Sequence, residues 1–243
     1  LPYADLMEMG AEAVERGYEY PAVTDIGRMA EMLFTSGTTG SSKCVMLSEE
    51  NIVSAVNAAC ETVDFSKDDV IVSVLPIHHT YELCIMLAGL NYGMNIAIND
   101  SLKKVLKNFA LFKPTGLVLV PLFVSTMNKK IWEEAKKGGK DKALKALTKV
   151  SRVMRGAKID LRSTFFSQVT RAFGGNLKKI VCGGAALNPE LVDIFAEFGI
   201  DIYEGYGITE CSPLIAVSPY FAPKKASVGP AVPCCEVRIE PDH

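Results

Sequence analysis

Ten residues from Phe34 to Lys43, FTSGTTGSSK, concentrate groups that bind anions. Gly37 and Gly40 leave backbone N–H groups free to line a concave surface. Thr35, Ser36, Thr38 and Thr39 add hydroxyl donors, and Lys43 adds a mobile charge suited to terminal phosphates. Such a loop is built to hold a polyphosphate. It is not a Walker A loop: Gly37 and Gly40 are three apart, Lys43 trails by three more, and Cys44 follows where a hydroxyl residue would be needed for magnesium.

Three more segments carry compatible chemistry. Gly183 and Gly184 in GGAAL let the backbone approach a flat ligand closely. In YEGYGITE (203–210), Tyr206 offers a ring that can stack on a planar group, Thr209 a hydroxyl donor, and Glu210 a carboxylate of the kind that holds a hard cation. In LPIHHTYE (75–82), His79 and Tyr81 stand just after a proline turn.

These residues need a frame. Short apolar runs predict buried strands at 31–35, 70–75, 94–98, 116–120 and 178–183. Helices fall between them. Ser48 caps one beginning EENIV, Ser101 caps LKKVLKNFALF before Pro114, and Asn188-Pro189 opens ELVDIFAEF, which Gly199 closes. The alternation predicts an α/β fold of mostly parallel sheet flanked by helices. Residues 122–173 carry no strand signal. Ala143, Leu144, Ala146, Leu147, Val150, Val153 and Met154 recur at helical spacing, with Lys142, Lys145, Lys149, Arg152 and Arg155 on other faces, as in an inserted amphipathic helix. Three parts are expected: a helical lead-in over 1–30, an α/β core over 31–211 with the insertion 122–173, and the start of a β-rich subdomain over 212–243. In the last part, CEVRIE (235–240) reads as a period-2 strand.

Hydrophobic residues make up 49% and mean hydropathy is +0.18, which favours a packed core over disorder. No apolar run reaches the ~18 residues of a membrane span. Seven scattered Cys without a C-x-x-C, and only three His, point to a reducing compartment and away from structural zinc. Charge is uneven: residues 128–179 hold 15 of the 26 Lys and Arg but only four acids. Such a segment suits an anionic surface or a solvated helical face. It lacks aromatic interleaving, so nucleic acid is not an expected partner.

FTSGTTGSSKCVMLSEENI (34–52) resembles the phosphate-binding signature of the acyl-adenylate-forming (AMP-binding) superfamily. Two departures are Ser42, where the family usually has Pro, and Cys44, where it usually has Gly. LPIHHTYE, GGAAL, YEGYGITE and SVGPAVPCCEVRI (227–239) resemble later motifs in the same order. The helical insertion and HHTYE are similar to bacterial long-chain fatty acid–CoA ligases.

The resemblance implies ATP-dependent activation of a fatty acid to an acyl-adenylate, then thioester formation with CoA, assisted by Mg2+. It assigns Lys43, Thr209 and Glu210 to catalysis, with Glu210 as the magnesium ligand, and Thr35, Ser36, Gly37, Thr38, Thr39, Gly40 and Lys43 to phosphate. It assigns Gly183, Gly184, Ala185, Glu204, Gly205, Tyr206 and Gly207 to adenine, and His79 and Tyr81 to the acyl pocket. It places the ribose-binding Asp and a lid domain with its Lys outside this chain, so the chain alone is expected to be nearly inactive. The expected location is cytoplasmic, with peripheral contact at the inner membrane face through 128–179. Alternatives are a ligase loading an acyl carrier protein and a non-catalytic nucleotide-binding pseudoenzyme.

Overall fold

A computed structural model describes residues 2–19, 22, 24–36 and 42–241. The first helix, α1 (Tyr3–Glu15), buries none of its residues. An antiparallel hairpin follows, β1 (Met29–Ser36) and β2 (Ser42–Ser48), leading into α2 (Glu49–Thr62). Next come β3 (Val70–Ser73), α3 (Thr80–Asn91), β4 (Asn95–Ile98), α4 (Val105–Phe112) and β5 (Gly116–Leu119). The insertion holds α5 (Pro121–Lys137), α6 (Asp141–Gly156), α7 (Arg162–Phe165) and α8 (Ser167–Arg171). The chain then forms β6 (Lys179–Cys182), α9 (Pro189–Glu197), β7 (Asp201–Gly207) and β8 (Leu214–Val217).

The main sheet runs β4-β3-β5-β6-β7-β8. All neighbours are parallel except β7 and β8. Its central strands are buried on both faces, which is why they read as unbroken apolar runs. Successive residues of β5 enter opposite cores. Leu117 and Leu119 join Phe109, Val124, Met127 and Phe195 from α4, α5 and α9, whereas Val118 joins Val56, Cys84 and Ala88 from α2 and α3. Burial pushes the Cys84 and Cys182 thiols up to about 12.

The expected caps form. Ser48 accepts from the Asn51 amide at 3.2 Å while Asn51 Oδ1 accepts from the Ser48 amide at 3.0 Å, a reciprocal box. Asn188 caps α9 through the Glu190 amide at 3.0 Å, and Gly199 takes φ +83° just past its end.

Three expectations require correction. The strand at 31–35 lies in the separate antiparallel hairpin, not the parallel sheet, and it is not buried: Met32 and Phe34 are 57% and 77% exposed. A continuous apolar run cannot reveal which sheet will receive it. Residues 235–240 form no strand; no neighbouring segment pairs with them and Ile239 is 88% exposed. On α6, Leu144 is buried but Val150 and Val153 face solvent, while Arg152 and Arg155 turn toward the protein to bind the buried Glu197 at 2.9 and 2.6 Å. Within the segment 212–243, residues 214–217 add β8 to the edge of the main sheet.

Candidate active site

The sheet order reverses between β3 and β5: the chain steps from β3 outward to β4, then returns across β3 to β5 and continues to β7. In open α/β sheets such a switch point leaves a crevice beyond the carboxyl ends of the strands. Of the segments singled out by sequence, 75–82 and 183–187 follow the carboxyl ends of β3 and β6, 203–210 forms most of β7 and the turn after it, and 34–43 belongs to the separate hairpin; α5 follows β5.

Beyond β3, residues 76–79 make a turn in which the His79 amide donates to the Pro76 carbonyl at 3.0 Å. His79 is exposed at the start of α3, its ring centroid 4.6 Å from that of His78. Tyr81 points the other way, into the fold. Its hydroxyl donates to the Val181 carbonyl on β6 at 3.2 Å, tying α3 to the sheet. Burial pushes the Tyr81 phenol well above its ordinary range.

The Gly183 amide donates to the Leu119 carbonyl at 3.1 Å, extending the pairing of β5 and β6 by one step. Gly183 is buried. A side chain there would lie 3.1 Å from the Gly205 carbonyl and 3.4 Å from the Tyr81 hydroxyl, a tight fit between these strand ends. Gly184 and Ala185 are exposed, and Gly184 has φ +84°.

Cys182 pairs with Glu204, so the Gly183–Ala185 loop and the Gly205–Gly207 strand end emerge side by side. Tyr206 is 52% exposed there, free to present its ring to a planar ligand. The half-buried Glu204 carboxyl is raised by burial, partly offset by a hydrogen bond from the Ala226 amide.

Beyond β7, Thr209–Cys211 form a single 3-10 turn. The Ile208 amide donates to the Pro213 carbonyl at 2.9 Å. A side chain at Gly207 would fall 1.9 Å from that same carbonyl oxygen, so the turn can form only with glycine there. Glu210 is exposed and has no ion-pair or hydrogen-bond partner among the described residues. Nor do three or more His, Cys, Asp and Glu among them form a group that could hold a metal ion by itself. A lone free carboxylate fits magnesium, which takes its other ligands from phosphate oxygens and water.

Strand β2 packs against this turn. In the hairpin, Lys43 lies opposite Thr35, so their side chains share one face. Gly37, Thr38, Thr39 and Gly40 lie outside the described residues, as does the Ser36 side chain. The described part thus brings the Lys43 hairpin beside the Thr209–Glu210 turn, and the Gly183 loop beside Tyr206.

Two groups escaped the sequence reading. Glu82, three residues after His79, is 1% exposed, with Oε1 unpartnered. Val120, just after β5, sits 3.6 Å from a side chain placed at Gly184, and Leu122, in the first turn of α5, is 77% exposed. The Val-Pro step into α5 after a buried strand was the signal available for the second.

The fold is that of an α/β protein with a mostly parallel sheet, and its candidate ligand-binding groups lie at the strand ends. Residues 4–243 match the AMP-binding enzyme family, and the chain belongs to it. It is 28% identical over 228 residues to the long-chain-fatty-acid–CoA ligase FadD15 of Mycobacterium bovis, covering 88% of this chain and 38% of that protein. It is 28% identical over 247 residues to the peroxisomal long chain acyl-CoA synthetase 7 of Arabidopsis thaliana, covering 98% and 34%. The chain therefore spans little more than a third of these curated relatives. The solved N-terminal domain of FACL13 from Mycobacterium tuberculosis shares the fold, with a TM-score of 0.65 and 20% identity over 88% of this chain and 46% of that one.

Proposed function

We propose that this chain is the nucleotide- and acyl-binding part of an acid–thiol ligase that activates a long-chain fatty acid with ATP and passes the acyl group to CoA. The observation that carries the reading is the convergence of the Lys43 hairpin with the Thr209–Glu210 turn, beside two glycine segments open to a planar base. In the first half-reaction a fatty acid carboxylate attacks the α-phosphorus of ATP and pyrophosphate leaves. In the second, the CoA thiol attacks the acyl carbon, and AMP leaves. Neither half needs a protein nucleophile, so positioning and charge neutralisation do the catalysis.

Lys43 would neutralise the departing phosphates, and Thr209 would donate to the α-phosphate. Glu210 would hold magnesium, which supplies positive charge to the phosphate oxygens. Gly183–Ala185 and Glu204–Gly207 would receive adenine, with Tyr206 stacking on it. His79, Tyr81 and the exposed Leu122 would border the acyl entrance, Tyr81 by anchoring α3. The names of the relatives favour a long-chain acid. The ribose Asp and lid Lys are expected elsewhere in the full protein, so this chain alone should turn over little.

Incubating the full-length protein with ATP, magnesium and palmitate, with either CoA or a phosphopantetheinyl carrier protein as acceptor, tests the acceptor. Palmitoyl-CoA is the expected product. Transfer only to the carrier would reassign the acceptor, and no palmitoyl-AMP at all would favour a non-catalytic nucleotide-binding protein.

No helix among the described residues is long and apolar enough to cross a membrane. The exposed Lys142, Lys145 and Lys149 on α6 lie among the exposed apolar Val150 and Val153, an arrangement suited to an anionic bilayer surface. Sedimentation with anionic vesicles at low salt should carry the full-length protein down; protein left wholly in the supernatant would contradict this contact.

A further inference from the structure

An open cavity of about 690 Å³ lies between α4, the C-terminal half of α5, α6 and α8. Sites for small molecules span ~300–1,000 Å³ and are walled mainly by apolar side chains. Here the wall is Leu106, Ile131, Leu144, Leu147, Val169 and Phe173. Lys130, Lys137 and Lys140 stand at the rim with Glu133 and Glu134.

These charges do not cancel. Glu134 engages Lys137 at 2.7 Å, and Glu133 faces Lys129 at 3.8 Å. Lys140 donates to the neutral Gln168 at 3.3 Å and keeps its charge uncompensated. Lys130 has no ion-pair or hydrogen-bond partner among the described residues. The mouth is therefore cationic above an apolar chamber.

The cavity is also remote from the crevice. Val120, just before α5, meets Gly184, whereas the cavity begins at Lys130, about 14 Å further along the helix axis. We propose that this cavity is a second acyl-binding site, separate from the catalytic one, for a long-chain anionic amphiphile. The tail lies among Leu144, Leu147 and Phe173, and the head group stands beside Lys130 and Lys140. The same chemistry arrives as a free fatty acid from solution or as an anionic phospholipid from a bilayer. The site does not depend on the adenylation reading.

The test irradiates the full-length protein with diazirine-tagged palmitate, without nucleotide, and maps the labelled peptides by mass spectrometry. Label is expected in 130–147 and 165–173, competed by plain palmitate. Leu147→Trp, which fills the chamber, should weaken binding about tenfold, as the loss of roughly two buried methylenes would. ATP–pyrophosphate exchange in that variant should persist, showing that it folds. Lys130→Glu, an exposed change, should lower the label as well and guards against a folding failure in the first variant. Repeating the labelling with diazirine-tagged phosphatidylglycerol in vesicles assigns the source: label from vesicles alone makes the ligand a bilayer lipid, and label from palmitate makes it a free acid. Label confined to peptides around 76–82 and 120–124, cavity label unchanged by both variants, or no label from either probe would overturn the proposal. Exchange absent while cavity label persists would defeat the adenylation reading alone.

Discussion

Glu82 and Asp69 titrate in opposite directions. Burial pushes the Glu82 carboxyl up, against hydrogen bonds from the Ser73 side chain and the Leu75 backbone. The folded state then holds its proton more tightly than the unfolded state. Stability from this group is greatest below the ordinary value of 4.5 and falls as pH rises through the raised value. Glu82→Gln should therefore match the parent in acid and exceed it in thermal stability at neutral pH; a gap independent of pH in parallel melts would contradict this. Burial also pushes Asp69 up, but Thr115 at 2.6 Å, Lys179 at 2.9 Å and the Ser66 amide outweigh it and hold the carboxyl below its usual range. That stabilisation is lost as pH falls below 3.8 toward the depressed value. Asp69→Ala leaves the mostly buried Lys179 without its counter-charge and should cost about 3 kcal/mol in denaturant unfolding. Neither carboxylate was legible in the sequence, because an acid reads as a surface residue until packing encloses it. Lys43, Thr209 and Glu210 could be proposed from the sequence because the segments that hold them carry their own residue spacing.

The helices and strands position the site through a few tight contacts. Gly207 stands where β7 turns toward β8, with no room for a side chain beside the Pro213 carbonyl. Gly207→Ala should displace the Thr209–Glu210 turn and lower ATP–pyrophosphate exchange in the full-length protein by about 100-fold, the scale of a 1 Å misplacement. A rate within a few-fold of the parent would show that the turn tolerates the change. On the opposite side of the sheet, α6 is held to α9 by Arg152 and Arg155 on the buried Glu197. The double change Arg152→Ala/Arg155→Ala leaves that carboxylate uncompensated and should cost about 3 kcal/mol of unfolding free energy. Sequence periodicity found α6 but not its orientation, since apolar and basic residues both occur on its buried and exposed sides. It found β3, β5 and β6 because strands buried on both faces read as apolar runs, and the edge strand β4 because Ile96, Ala97 and Ile98 form a short apolar run of their own. It missed β2 and β8, and read β7 as a ligand loop, because Gly205 and Gly207 look like loop residues when no partner strand is in view.

At the scale of the whole molecule, the hairpin that carries Lys43 packs against the turn that carries Glu210 beside the strand ends of the sheet, where the proposed function puts catalysis. The family was legible from five motifs in order; their meeting at the strand ends was not, because strand order is a property of the folded sheet. The most direct test of this account is ATP–pyrophosphate exchange on the full-length protein, across acids from acetate to oleate, with Glu210→Ala in parallel. Exchange that peaks with long-chain acids and is lost in the variant is the predicted result. Exchange that peaks with short or aromatic acids would contradict the substrate, and undiminished exchange in Glu210→Ala would contradict the role of the turn.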